Sequence, residues 1–377
     1  MNKIILIPDS FKGTMSSQEI CSIMEKGIRG YYPEAEIVSI PVADGGEGSV
    51  DSFLQAMGGE KRTVVVKGPY MEDMEAFYGV VGGNTAIIEM AACAGLPLVG
   101  DDKHPDRTTT YGVGQLMLHA VRNGCTKLVV GLGGSATNDA GCGAAAAAGV
   151  RFIDEDGKEF VPTGGTLGNV VKIDRSGLTK EFSGVEIVTM CDIDNPFSGV
   201  TGAAYIFGPQ KGADEEMVRK LDAQMKRLAD IIAKDCEMDV QTLPGSGAAG
   251  GMGGGMAAFF GSQLQMGIET VLDTVHFDDL VKDADLVLTG EGKIDGQSLR
   301  GKVVIGVARR AKAQSIPVVA IVGDIGDDIE GAYAEGVCGI FSTNRVAVEF
   351  KQAAKRCKSD MALTIDNFIR FCKRMGL

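Results

Sequence analysis

"KIILIPDSFKGTMSSQEI" (residues 3–20) is the stretch from which the fold can be read. Its first six residues form a short continuous apolar run closed by proline, the pattern of a strand buried on both faces. A polar loop, "DSFKGTM", follows. Ser16 and Glu19 then stand at capping-box spacing, and Ile20, Ile23, Met24, Gly27 and Ile28 recur at helical intervals. A second apolar run, "AEIVSIPV" (35–42), completes a strand–helix–strand unit. A helical crossover of this length makes the two strands parallel.

The same grammar returns in the last third. "DLVLTG" (285–290) leads through a polar loop to a helix bearing Val304, Val307, Ala308 and Ala311. "IPVVAIVG" (316–323) is another buried strand, "GVCGIFST" (336–343) follows, and a helix closes the chain. The middle differs. "TVVVKGPYMEDMEAFYGVVGGNTAIIEM" (63–90) alternates and turns at "GPYMED" and "GGN", as an antiparallel meander does. "KLVVGL" (127–132) and "VEIVTM" (185–190) read as parallel strands again. The expected architecture is α/β. Residues 1–63 and 268–377 form a doubly wound, Rossmann-like parallel-sheet domain, and 64–267 form an inserted mixed α/β domain. The active site is expected in the cleft between them.

A chain of 377 residues exceeds what one core usually supports. Its net charge of −13 repels phosphate backbones and anionic bilayers, which argues against nucleic acid or membrane partners. Nine scattered cysteines without a C-x-x-C pair fit reduced thiols of a cytoplasmic protein, and no run has the length of a signal peptide or membrane span. His104, His119 and His276 are too few for a histidine metal site, and neither H-E-x-x-H nor G-x-S-x-G occurs.

Five loops share one plan, in which an apolar strand ends and glycine meets carboxylate, hydroxyl or lysine. They are "PDSFKG" (8–13), "VADGGEGS" (42–49), "GLGGSATND" (131–139), "CDIDNP" (191–196) and "TGEGKIDGQSLRGK" (289–302). In parallel sheets ligands bind at the carboxyl ends of strands, where these loops lie. Each loop alone is explained by turn and cap chemistry; five together point to a site. Phosphoryl transfer needs cations or backbone N–H groups on phosphates, carboxylates on Mg²⁺ and an acceptor for the hydroxyl proton. Lys12, Lys293 and Lys302 are the candidate anion binders. Asp44, Glu47, Asp192, Asp194, Glu291 and Asp295 are candidate bases or metal ligands. The glycine loops are candidate phosphate cradles.

Other readings are open at this point. Gly131, Gly133 and Ala136 satisfy the G-x-G-x-x-A dinucleotide fingerprint, which would suit an NAD-dependent hydroxy-acid oxidoreductase. "GQSLRGKV" (296–303) is one residue short of a P-loop, and its lysine can equally open the next helix. "PGSGAAGGMGGGM" (244–256) reads as a hinge or a phosphate cradle, and the five alanines from Ala144 as a helix packed on the sheet. A ligand-binding module is the third class.

Taken in order, "IPDSFKGTMSS", "PVADGGEGS", "GLGGSATNDAG", "CDIDNP", "PGSGAAGGMGGG" and "LTGEGKIDGQSLRGK" resemble the signatures of the glycerate kinase family, glycerate 2-kinase type, across essentially the whole chain. The chain departs at Ala140, where glycine is expected, and at Ser49, where threonine is commoner. The resemblance implies ATP-dependent phosphorylation of D-glycerate to 2-phosphoglycerate, with 3-phosphoglycerate as the alternative product. It implies ATP and Mg²⁺ as cofactors and admits a homodimer. It also places the Lys12 loop near the small acid. Candidate contacts to substrate or nucleotide are Ser10, Lys12, Gly45, Gly46, Gly133, Gly134, Ser135, Asn138, Asp139, Glu291, Lys293 and Lys302. "CDIDNP" is similar to the Asp-containing loop of phosphofructokinases, where the first acid accepts the hydroxyl proton. Asp192 is therefore the expected base, with Asp44 and Asp295 as rivals, and Asp192 with Asp194 the expected Mg²⁺ ligands.

Overall fold

The structure, a computed structural model, describes every residue except Asp44, Thr179 and Gln297, and Arg300 by its backbone alone. The chain divides into two compact units, one of residues 1–43, 55–57 and 268–377, the other of 44–54 and 58–267.

The first unit holds a five-stranded, all-parallel sheet in the order Val337–Ser342, Val318–Val322, Leu286–Gly290, Lys3–Pro8, Glu36–Ser39. Numbered along the chain within this unit, the order is 2-1-3-4-5, a doubly wound order whose direction reverses between Lys3–Pro8 and Leu286–Gly290. The unbroken apolar run is explained by burial on both faces. Ile4 and Leu6 pack with Ile20, Met24 and Ile28 of helix Ser17–Arg29 and with Met361, Ile365 and Ile369 of helix Phe350–Met375. Ile5 and Ile7, equally buried, point to the opposite face, where helix Val303–Ala313 packs. Ser16 caps the first of these helices: its Oγ accepts the Glu19 N–H at 3.2 Å, and Glu19 Oε2 accepts the Ser16 N–H at 3.0 Å.

The second unit is built on a six-stranded mixed sheet, ordered Gln263–Gln265, Glu186–Met190, Lys127–Gly131, Thr85–Glu89, Asp73–Val81, Glu60–Lys67. The last two strands and the edge they make with Thr85–Glu89 are the antiparallel meander; the other pairings are parallel. This unit takes in helix residues 49–54, ahead of the expected boundary at 64, because Val50 and Leu54 pack over Gly79 of the meander and Glu89 receives the Val50 N–H at 2.6 Å.

Two small-residue segments fold differently from expectation. The alanine-rich helix Cys142–Ala147 packs against helices Tyr111–Arg122 and Ala248–Phe260, a helix-on-helix seam rather than a helix on the sheet. With nothing beyond Cβ, its backbone can approach its neighbours closely. The glycine-rich segment becomes helix Ala248–Phe260, buried from Ala248 to Phe259 and interrupted by left-handed residues at Ala249, Gly250 and Gly251. A Cβ at Gly250 would overlap the Thr137 carbonyl. This segment is an internal packing seam.

Candidate active site

The carboxyl edge of the second unit carries three of the five loops. Gly131 and Met190 end adjacent, paired strands, so "GLGGSATND" and "CDIDNP" leave side by side. Glu89 stands in register with Gly131 on the other side. Against Gly131 and Gly133 lies the backbone of Gly45 and Gly46. The Gly133 N–H donates to the Gly45 carbonyl at 3.0 Å, a Cβ at Gly131 would overlap that carbonyl, and one at Gly133 would stand 2.5 Å from the Gly46 Cα. In a dinucleotide site the fingerprint glycines admit a pyrophosphate. Here another loop of the same chain takes the close approach. No helix opens there either: the next one begins at Cys142. The oxidoreductase reading fails on this geometry.

The remainder of this loop is held by its own surroundings. Gly134 accepts the Leu96 N–H at 2.8 Å and Ser135 bridges Gly95. Asn138 is fully buried, its Nδ2 3.3 Å from Met225 Sδ. Asp139, also fully buried, accepts from the Thr110 N–H at 2.7 Å, the Thr110 hydroxyl at 2.8 Å and the N–H groups of Gly141 and Gly143 at 3.2 Å. Burial raises its pKa while those donors oppose the rise. Nearby, Lys211 is buried and donates to the Thr137 carbonyl at 2.6 Å; burial pushes its ammonium down to about 7, with Asp139 pulling the other way.

Asp192 and Asp194 are exposed on the next loop. One Asp192 oxygen accepts the Gly267 N–H at 2.7 Å, at the first residue of helix Gly267–Thr274. The Asn195 amide donates to the Thr201 carbonyl at 2.8 Å, and the Asn195 carbonyl receives the Gly247 N–H at 3.0 Å, which fixes the turn. Asp44 lies outside the described residues; Gly45 and Gly46 beside it are buried, and Glu47 is exposed. Glu89 is the residue that the sequence reading missed. It is 3% exposed and anchors the 45–50 segment through the Val50 and Gly48 N–H groups; burial raises its pKa. A carboxylate ending the buried strand "AIIE" was the available signal.

The first unit presents the other two loops at its switch point. "PDSFKG" leaves strand Lys3–Pro8 and "TGEGKIDGQSLRGK" leaves strand Leu286–Gly290, tied together by the Asp9 N–H donating to the Gly290 carbonyl at 2.8 Å. Ser10 is half-buried and Lys12 exposed, with the Lys12 N close beside Gly292. Lys293 is exposed, its Nζ 3.8 Å from half-buried Asp295. The P-loop-like lysine, Lys302, takes the N-cap position of helix Val303–Ala313, so it opens the helix. In this group Glu291 is the exception: it is 5% exposed, and burial pushes its carboxyl up to about 7, opposed by a hydrogen bond from Ser298 and by the charge of Lys302, and reinforced by Asp9 and Asp295. Cations, a poised carboxylate and an uncapped helix start converge where doubly wound sheets bind ligands.

Residues 4–373 match the glycerate kinase family. The chain is 43% identical over 367 residues to a glycerate kinase of Bacillus cereus, covering 97% of this chain and 96% of that one. It is 44% identical over 342 residues to the glycerate 2-kinase of Escherichia coli, covering 90% of each. A crystal structure from Salmonella typhimurium LT2, of a protein named only provisionally as glycerate kinase 2, aligns with a TM-score of 0.87 at 41% identity, covering 100% of this chain and 99% of that one. The chain belongs to the glycerate kinase family.

Proposed function

We propose that the protein transfers the γ-phosphoryl group of ATP to a hydroxyl of D-glycerate, at the 2-position. The observation that supports this reading is the switch-point edge of the first unit, whose two loops carry exposed Lys12, Lys293 and Lys302 together with the buried carboxylate of Glu291. The lysines supply the positive charge that an anionic triphosphate tail and a carboxylate substrate require on a chain of net charge −13. Lys12 is assigned to the glycerate carboxylate, and Lys302 with the N–H groups opening its helix to phosphate.

Mg²⁺ is the expected companion of ATP. Among the described residues no three His, Cys, Asp or Glu side chains gather into a cage. Mg²⁺ in phosphoryl transfer needs only one or two carboxylates, with phosphate and water completing its shell, and the exposed pair on the 191–196 loop fits that demand. Asp194 would hold the ion, assisted by Asp192. When bound, Mg²⁺ neutralises charge developing on the transferring phosphate. The nine free cysteines support a reducing, cytoplasmic setting. Among the described residues, no helix is long and apolar enough to cross a membrane.

The test is an assay with ATP, Mg²⁺ and D-glycerate, the product being identified by phosphorus NMR. A doublet from phosphate on the secondary carbon is expected. ATP turnover independent of glycerate, or phosphate on the primary carbon, would reject the reaction or its position respectively.

A further inference from the structure

The reaction leaves one proton to dispose of. The glycerate oxygen attacks the γ-phosphorus, the bond from phosphorus to the ADP oxygen breaks, and the O–H bond of the hydroxyl must give up its proton to a base. Resting on the glycerate kinase reading, we propose that Glu291 is this base, its Oε1 receiving the glycerate hydroxyl proton and passing it to water after product leaves.

Position comes first. Glu291 directly follows strand Leu286–Gly290, every residue of which is buried, so its backbone is held by the centre of the sheet. It stands at the topological switch point, where the strand order places ligands. Its Oε1 is buried and, in the described structure, meets no hydrogen-bond donor. An unsatisfied buried carboxylate oxygen is costly, and its retention calls for a use. The rivals in the same unit are otherwise engaged: Asp295 lies 3.8 Å from the Lys293 ammonium, and Asp9 Oδ1 accepts the Ser10 N–H at 2.6 Å.

Charge supports the position. Asp9 faces Glu291 from the loop after the first strand, Asp295 from its own loop and Lys302 from the start of the following helix, with Ser298 as hydrogen-bond partner. Burial and the two acids outweigh Lys302 and Ser298, and the carboxyl titrates at about 7. A base works best when its pKa lies near the working pH, where it is both deprotonated and proton-hungry.

Steady-state kinetics of the full-length wild type, Glu291→Gln and Ser298→Ala with ATP, Mg²⁺ and D-glycerate from pH 5.5 to 9 tests this. Wild-type kcat should rise with pH through a limb near 7. Glu291→Gln should lose kcat on the order of 10²-fold or more with KM values within a few-fold, and the limb should vanish. Ser298→Ala removes a bond that favours the charged form, so its limb should move to higher pH. That variant decides the matter if Glu291→Gln does not fold. Near wild-type kcat in Glu291→Gln, an unchanged limb in either variant, or a loss confined to KM overturns the proposal while leaving the kinase reading intact. A wild type without glycerate-dependent turnover overturns both.

Discussion

The glycine-rich loops that follow strands Lys127–Gly131 and Leu286–Gly290 share composition but little else. The loop at 131–141 turns its polar groups inward: Asp139 accepts from five donors, Gly131 and Gly133 are packed against Gly45 and Gly46, and Lys211 seals the Thr137 carbonyl. The loop at 291–302 exposes Lys293 and Lys302 and leaves one buried carboxylate oxygen, Glu291 Oε1, without a donor. The sheets beneath explain part of the difference. Parallel strands of the second unit run in chain order, with no reversal to open a crevice. The first unit reverses its strand order between Lys3–Pro8 and Leu286–Gly290, the position at which doubly wound sheets bind ligands. A motif rich in glycine and acid thus reports a strand end; the strand order decides whether that end holds a ligand or another loop.

The contrast breaks most visibly at Gly131. Gly131→Val places a branched side chain into the Gly45 carbonyl, and backbone has no rotamer to yield. We expect a loss of about 3 kcal/mol or more in urea unfolding. A midpoint within experimental error of wild type would mean that the glycines are there for a ligand after all.

Next comes Lys211. Its amine is neutral in the native protein above about pH 7, whereas in the unfolded chain it holds its proton until about 10.4. Between those values the unfolded state binds more protons, so stability climbs with pH, by at most about 1.4 kcal/mol per unit. Below pH 7 the cost of burying the charge is present in full. Comparing denaturation midpoints of wild type and Lys211→Met at pH 7.5 and 9 should show a rise in the former that is flattened in the latter. Parallel slopes would place Lys211 in ordinary solvent contact.

The smallest effect is kinetic and belongs to the other loop edge. Lys12→Ala should leave the unfolding midpoint unchanged and cost roughly tenfold in kcat/KM for glycerate, about 1.4 kcal/mol. Loss of stability without loss of activity would reverse the roles assigned to the two edges.

How much of this could be read in advance depended on the range of the interaction. The strand Lys3–Pro8, the Ser16–Glu19 capping box and the antiparallel meander are written in neighbouring residues, and each forms where its pattern stands. The departure at Ala140 is also local. Its φ of 54° is left-handed, which explains why glycine is at home there. Ser49 donates to the Gly46 carbonyl at 2.8 Å, a bond that a threonine hydroxyl would equally make. The packing of Gly45–Gly46 on Gly131–Gly133 was hidden, because neither segment names its partner across some 85 intervening residues. Glu291 looked like one acid among six; its burial follows from the strand order, which no local pattern encodes.

That strand order also reaches back to the ribosome. The hydroxyl of Thr289 bonds the carbonyl of Ile7 across 282 residues, and Ile4 through Pro8 are paired along their whole length with 286–290. At about 5–20 residues per second, translation takes roughly a quarter of a minute to a minute to deliver that partner. Throughout this interval the N-terminal strand can pair with Glu36–Ser39 on one side only, while its other edge stays open. The second unit, whose last residue is Gly267, has left the ribosome before the partner strand 286–290 does. A nascent chain of this protein therefore carries an adhesive apolar edge for most of its synthesis, and its yield in the cell depends on what shields residues 3–8 until the last third emerges.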